Sequence, residues 1–320
     1  MSLRKLGFSP SFYGECLSRT YADKKGASVL YHFIVNKVSG NGKGLSIWKD
    51  VEKILAVTQL NYQVFFTNYP SHATEISKKI NNGVIIVIGG DGTIHEVING
   101  LIKSNIPMGI IAAGSGNDFA RALNIPMNAA EAFESILAGN ERTVDVGRIG
   151  DKSCATVIGI GFDGQVAQTV NASKTKKWMK FFRPGKMSYI ISVFKVLFDY
   201  KPANISIKID DKTEEMMDVW LVAVANFPYY AGGMAICPNA KGNDGYFELC
   251  VVHGMSKLQF IRTFPGVFKG KHVSHPSIKM LTGKQIEISS SSTMIVHGDG
   301  EIIGETPIKI NMEENALRVV

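Results

Sequence analysis

A chain of 320 residues is long for one compact domain, and two domains are the expectation. With 45% hydrophobic and 20% charged residues it has the composition of a soluble globular protein, which excludes a disordered chain. Its formal charge of +7 is compatible with anionic nucleotides, nucleic acid or an anionic membrane surface, and the total does not choose among them. The cysteines (Cys16, Cys154, Cys237 and Cys250) are scattered without a CxxC pair, which speaks against a zinc or disulfide framework and fits a reducing cytosol. Arg4 and Lys5 precede no apolar core, and the apolar runs are too short to span a bilayer.

Residues 1–28 show no period and are expected to be an N-terminal extension outside the fold. Val29 to Val35 reads as a strand that empties into Asn36-Lys37-Val38-Ser39-Gly40-Asn41-Gly42-Lys43-Gly44. A helix follows, with Leu45, Trp48, Val51, Ile54 and Leu55 on one face. Tyr62 to Thr67 is the next strand and Ser71 to Ile80 the next helix. Val84 to Ile88 is an unbroken apolar run that stops at Gly89-Gly90-Asp91-Gly92, and Ile94, Val97, Ile98 and Leu101 then recur at helical spacing. Met108 to Ala112 leads into a third turn, Gly114-Ser115-Gly116-Asn117-Asp118. Strands alternating with helices predict a doubly wound parallel sheet over 29–139, with ligand sites beyond the carboxyl ends of its strands, where all three glycine turns and Thr67 fall. From Arg142 strands dominate, at 142–149, 153–160, 203–209, 217–226, 246–252, 284–289, 294–297 and 306–310, with helical insertions near 186–200 and 256–268. Residues 140–320 therefore read as an antiparallel, β-sandwich-like domain whose last residues can return to the first.

A strand, a glycine turn and a helix N-terminus form a phosphate-binding geometry: glycines allow close backbone approach, and the helix offers unpaired N–H groups. Asp91 would repel a bare phosphate but suits a magnesium-bound one; the plainer reading is a capped βα turn, with Asp91 and Thr93 serving the helix. The first loop has neither GxxxxGK[ST] nor GxGxxG, so neither a Walker nucleotidase nor a standard dinucleotide fold is supported. Asn243-Asp244-Gly245 reads as a turn that could also hold a hard cation. Asp299-Gly300 reads as a hairpin turn between Ile295-Val296 and Ile302-Ile303. His95 and His297 lack a second histidine at ligand spacing and read as neighbours of motifs, not as catalysts.

Gly89-Gly90-Asp91-Gly92-Thr93 with Glu96, Asn99 and Gly100, then Gly114 to Arg121, Asp244-Gly245-Tyr246 and Asp299-Gly300-Glu301, together resemble the diacylglycerol kinase catalytic-domain family, which includes bacterial lipid kinases and sphingosine and ceramide kinases. The resemblance implies an ATP site lined by Asn36, Ser39, Gly40, Thr67, Gly89, Gly90, Asp91, Gly92, Thr93, Gly114, Ser115 and Asn117. It implies Asp118 in a water and Mg²⁺ network near the γ-phosphate, Asp299 as general base with Glu301 as its neighbour, and a structural magnesium held by Asp244 and the carbonyls of Lys241 and Tyr246. One departure is visible: the first loop reads Asn36-Lys37 where the family has Asn-Pro, which removes rigidity but no donor or acceptor.

The expected activity is ATP-dependent phosphorylation of a lipid alcohol, diacylglycerol to phosphatidic acid first among them. The alternatives are a soluble-substrate kinase of the NAD kinase type and a non-catalytic lipid- or nucleotide-binding regulator. Residues 174–186 interleave six cations with Trp178, Phe181 and Phe182, the composition of an edge that docks on an anionic membrane surface. A solvated connector is the plainer reading of that stretch. The expected placement is cytoplasmic, peripheral at the inner membrane face; no nucleic-acid partner is expected, and a homodimer is left open.

Overall fold

The computed structural model describes residues 29–58, 60–102, 104–175 and 186–320, without the side chains of 173–190. The expected N-terminal extension and most of the basic stretch 174–186 lie outside the described residues. The chain divides into two units, one holding the described residues up to Val144 together with Asn315–Val320, the other Asp145–Glu314.

The first unit is α/β. Its elements are β1 (Leu30–Val35), α1 (Ser39–Leu55), β2 (Asn61–Phe66), α2 (His72–Ser77), β3 (Val84–Gly89), α3 (Asp91–Leu101), β4 (Met108–Ala112), α4 (Asp118–Ala122) and α5 (Ala129–Ala138). The strands pair in parallel in the order β2–β1–β3–β4, and near the chain's C-terminus Val319 adds in parallel beside Met108. β3 is central and buried along its whole length, which is why its sequence is an uninterrupted run of Val and Ile. The strand order reverses between β1 and β3, and their carboxyl ends flank the point where open α/β sheets bind ligands. On one face Phe33, Trp48, Ile86 and Phe133 form the core, with Trp48 edge-on to Phe33 at 5.3 Å.

The second unit is built on strands: β5 (Arg142–Ile149, begun in the first unit), β6 (Lys152–Cys154), β7 (Val157–Gly161), β8 (Ala203–Ile209), β9 (Lys212–Ala225), the short β10 (Tyr229–Tyr230) and β11 (Met234–Ala235), β12 (Phe247–His253), β13 (Ile278–Gly283), β14 (Gln285–Ser290), β15 (Ile295–Gly298), β16 (Glu301–Glu305) and β17 (Ile308–Val319), which ends in the first unit. Helices α6 (Phe162–Thr175), α7 (Lys186–Asp199) and α8 (Lys257–Thr263) interrupt them. β9 organises the unit, pairing antiparallel with β7, β8 and β12. Alternate residues of its carboxyl half face opposite cores: Val222 and Val224 join Ile158 and Leu249, whereas Leu221 and Ala223 join Phe162 and Phe260.

Two local differences from the sequence reading matter. The single strand expected over 153–160 is broken between Cys154 and Val157, and helix Phe162–Thr175 had no expected counterpart. The break frees two backbone N–H groups for a carboxylate described below. The helix is rich in Gln, Thr, Ala, Asn and Ser, and so carries little apolar period.

Gly100, a motif residue, proves to be a packing residue: a Cβ there would lie 1.8 Å from Ser77 Oγ and 2.8 Å from the Thr74 carbonyl, so α2 and α3 touch only because it is glycine. Gly100→Ala gains about 1 kcal/mol of helix propensity but costs about 1–3 kcal/mol of overpacking, so net destabilisation is expected in urea denaturation. A midpoint at or above the parent's would refute this account.

Candidate active site

The three turns of the first unit are locked together by glycines. A Cβ on Gly90 would fall 2.9 Å from Gly114 Cα, one on Gly114 2.6 Å from Gly90 Cα, and one on Gly40 2.1 Å from the Ala113 carbonyl. The first loop enters α1 through left-handed Gly40, Asn41 and Gly42, so the regular helix begins only after them. Asn36 joins the first turn to the second, its Nδ2 donating to Thr93 Oγ1 at 2.9 Å, while its carbonyl accepts the Ser39 N–H at 3.2 Å. Thr67 sits beside them at the end of β2, its N–H bonded to the Val35 carbonyl. Ser115 and Gly92 lie exposed on the turns. Lys37 sets its Nζ 5.0 Å above the Phe66 ring, a cation–π contact that anchors the loop.

Asp91 caps, but not the helix it begins. Gly90 is the N-cap of α3, with no side-chain cap bond, and Asp91 instead accepts the Asn117 N–H on Oδ2 at 2.7 Å and the Phe119 N–H on Oδ1 at 3.4 Å. It thereby ties the second turn to the third. Asn117, at φ +55°, closes the third turn by accepting the Gly114 N–H on its own Oδ1 at 2.8 Å. Asp118 is buried and bridged to Arg121 at 2.6 Å, and Arg121 also donates to the Gly116 carbonyl. Burial, and next the charge of Asp118, pushes the Asp91 carboxyl up to about 6 against the pull of the surrounding backbone N–H groups. The remaining motif residues do structural work: Glu96 accepts the Ala73 N–H and, through its carbonyl, the Thr74 hydroxyl, which fixes α2 on α3.

In the second unit Asp299 stands at the tip of the β15–β16 hairpin in left-handed backbone, φ +53°, followed by Gly300 at φ +89°. Its carboxylate accepts the Ala155 N–H at 2.9 Å, the Thr156 N–H at 2.8 Å and the Thr156 hydroxyl at 2.6 Å. These donors come from the break between β6 and β7. Buried Asn226 holds that break from behind, its Nδ2 donating to the Asp145 carbonyl at 2.7 Å and the Ala155 carbonyl at 2.9 Å. Sequence reading missed Thr156 and Asn226, and neither carries a motif signal. Glu301 is exposed at the start of β16, opposite Gly298. Asp244 is exposed, its Oδ1 accepting the Tyr246 N–H at 3.1 Å, while Gly245 donates to Asp145 Oδ2 at 2.8 Å and the neighbouring Lys241 precedes a buried Gly242. Among the described residues no group of three or more His, Cys, Asp or Glu side chains is gathered as a metal cage.

Residues 31–149 match the diacylglycerol kinase catalytic domain, and residues 156–320 the YegS C-terminal NAD kinase beta sandwich-like domain. The chain belongs to the diacylglycerol kinase family. It is 31% identical to the diacylglycerol kinase of Mycobacterium tuberculosis (strain ATCC 25618 / H37Rv) over 242 residues, 74% of this chain and 76% of that one. It is 34% identical to the diacylglycerol kinase of Staphylococcus saprophyticus over 243 residues, 73% and 76% of the two chains, and 30% identical to YtlR of Bacillus subtilis (strain 168) over 304 residues, 90% and 98%. A crystal structure from Bacillus anthracis str. Sterne aligns with a TM-score of 0.74 at 25% identity, covering 92% of this chain and 97% of that one. The two-part fold and the kinase class expected from the motifs are those of this family.

The raised Asp91 carboxyl links stability to pH. The folded chain keeps a proton between the reference 3.8 and about 6 that the unfolded chain has released, so the stability it contributes is present below that window and lost as pH rises through it. Asp91→Asn removes the charge and keeps an acceptor for one of the two N–H groups, a loss that does not vary with pH. Its melting temperature relative to the parent is expected to climb across that window and level off above it; a difference that does not change with pH would contradict the assignment.

Proposed function

We propose that this kinase transfers the γ-phosphate of ATP to the hydroxyl of a lipid alcohol, with diacylglycerol the first candidate and phosphatidic acid the product. The triphosphate is held by the backbone N–H groups of the three glycine turns, with Asn36, Ser39, Thr67, Thr93, Ser115 and Asn117 lining the nucleotide site. Asp91 and Asp118 suit Mg²⁺, since two carboxylates close enough for one to raise the other's affinity for a proton are relieved by a divalent cation. Bound there with ATP, the ion would neutralise the charge that develops on the transferred phosphoryl group. The Asp244 carboxylate and the Lys241 and Tyr246 carbonyls offer the hard oxygen donors of a second, structural magnesium site. Asp299 accepts the hydroxyl proton as the alcohol oxygen bonds to phosphorus and the bond to ADP breaks. Its three hydrogen bonds fix the carboxylate's plane, and proton transfer that lags bond cleavage suits a weak base. Glu301 stands two residues away as a second acidic group.

The observation that carries the lipid half of this reading is an apolar cavity of about 40 Å³ inside the second unit, lined by Phe162, Leu221, Met234, Val252, Phe260 and Phe264 among others, with Asp163 on its wall. Thr263 and His272 also line it, but the wall is mainly apolar, and a cavity of this volume suits the end of an acyl chain, not the whole of one. The helices beside it are apolar on their outer faces too, with Ile191 60%, Phe198 69% and Leu258 56% exposed, and Lys257 reaches the Phe198 carbonyl to hold α8 against α7. That face continues in sequence from the cations and aromatics of 174–186, and we assign the pair to peripheral docking on an anionic leaflet at the inner membrane face. Among the described residues no helix is long and apolar enough to cross a membrane.

Radiolabelled phosphate transfer from ATP and Mg²⁺ to a panel of lipids in mixed micelles tests the reaction. Label on diacylglycerol that drops on the order of 10²- to 10⁴-fold in Asp299→Asn is expected; a folded parent that binds ATP but labels no lipid would overturn the acceptor assignment. For docking, the Lys176→Glu, Lys177→Glu, Lys180→Glu triple variant should lose co-sedimentation with phosphatidylglycerol vesicles while melting like the parent. Undiminished sedimentation would place the docking edge elsewhere.

A further inference from the structure

Behind the Asp299 hairpin lies a buried polar pair that the reaction as described does not use. His297, from β15, and Asp163, from the first turn of α6, have side chains only 4% and 3% exposed, with Nε2 and Oδ2 3.2 Å apart. The other ring nitrogen, Nδ1, accepts the N–H of Gly300 at 3.3 Å. An N–H donor facing Nδ1 requires that atom to be unprotonated, so the ring proton sits on Nε2, the nitrogen beside the Asp163 carboxylate; the 3.2 Å approach is a close polar contact outside hydrogen-bond geometry. The chain of contacts thus runs from α6 through the imidazole to the residue that follows Asp299. A second strut from the same helix, Asn171 Nδ2, donates to the Gly300 carbonyl at 3.1 Å.

The fold makes room for this arrangement. Gly159 of β7 pairs with His297, and a Cβ there would fall 2.2 Å from His297 Nε2 and 2.5 Å from Asp163 Oδ2. Stability alone does not explain such a pair, because a buried ionisable pair is often no more stabilising than apolar residues of the same volume. Gly300, at φ +89°, has open space around it, so no packing holds the tip in its left-handed turn; hydrogen bonds must.

We propose that His297, oriented by Asp163, is a positioning residue: it grips the Gly300 N–H and so sets the angle at which Asp299 presents its carboxylate. The inference rests on Asp299 being the base. His297 touches no reacting atom, and its loss acts on turnover rather than on nucleotide binding, which belongs to the other unit. Misplacing a catalytic group by about 1 Å costs up to about 10²-fold in rate.

The test combines kinetics with imidazole ¹⁵N spectroscopy on the full chain. His297→Leu is expected to lower kcat for lipid phosphorylation about 10- to 100-fold with the KM for ATP unchanged. His297→Asn, whose Oδ1 can stand in for Nδ1, should recover most of the loss, and the parent ring should show the Nε2–H tautomer. Gly159→Ala, which places a methyl group where ring and carboxylate meet, should reproduce the slow phenotype, and it decides the matter if the leucine variant does not fold. Parental kcat in either folded variant, failure of asparagine to rescue, or an Nδ1–H ring would overturn the proposal. A parent that phosphorylates no lipid would refute the acceptor assignment only, and the tautomer would then decide the positioning claim by itself.

Discussion

The first unit depends on backbone meeting backbone. Where Gly90 and Gly114 face each other, and where Gly40 meets the Ala113 carbonyl, no side chain fits between turns that come from distant parts of the chain. That closeness lets one carboxylate, Asp91, bond to N–H groups across the gap and lets Asn36 reach Thr93. It also brings Asp91 near Asp118, and the resulting proton affinity is a cost of the same geometry. A site built this way offers many N–H donors and few flexible side chains, which suits an anion whose charge shifts during reaction and must find its partners already in place.

The second unit applies a different principle to Asp299. Its tip is held by hydrogen bonds, not by packing, and the donors exist only because a strand is interrupted at Ala155 and Thr156. Asn226 absorbs the disturbance by satisfying carbonyls that the break would otherwise strand in the core. The hairpin, the broken strand and α6 form one polar assembly set into apolar surroundings.

What was legible in the sequence follows from this division. Local chemistry was: glycine turns after apolar runs marked the ends of β1, β3 and β4, and Asp-Gly between β-branched pairs marked the hairpin. Relations between distant residues were not. Asp91 was read as either a cation partner or a cap for its own helix, whereas it caps a segment that begins 26 residues later. Strand 153–160 looked continuous because Ala155 and Thr156 do not break an apolar pattern; only the carboxylate 143 residues downstream of Thr156 explains the bend. Helix Phe162–Thr175 gave little periodic signal because its apolar stripe is narrow, Phe162, Val166 and Val170 set among polar residues, and it also carries Asp163 and Asn171 to a turn.

The return of Asn315–Val320 to the first unit also has a bearing on biosynthesis. Met108 acquires its neighbour Val319 only after the whole of Asp145–Glu314 has been made. On the ribosome, the Met108 end of the first unit's sheet therefore waits without its neighbour while the second unit emerges. An unpaired strand end is a place where nascent chains pair with one another. The order of synthesis thus makes the C-terminal strand the closing step of folding for the part of the molecule translated first.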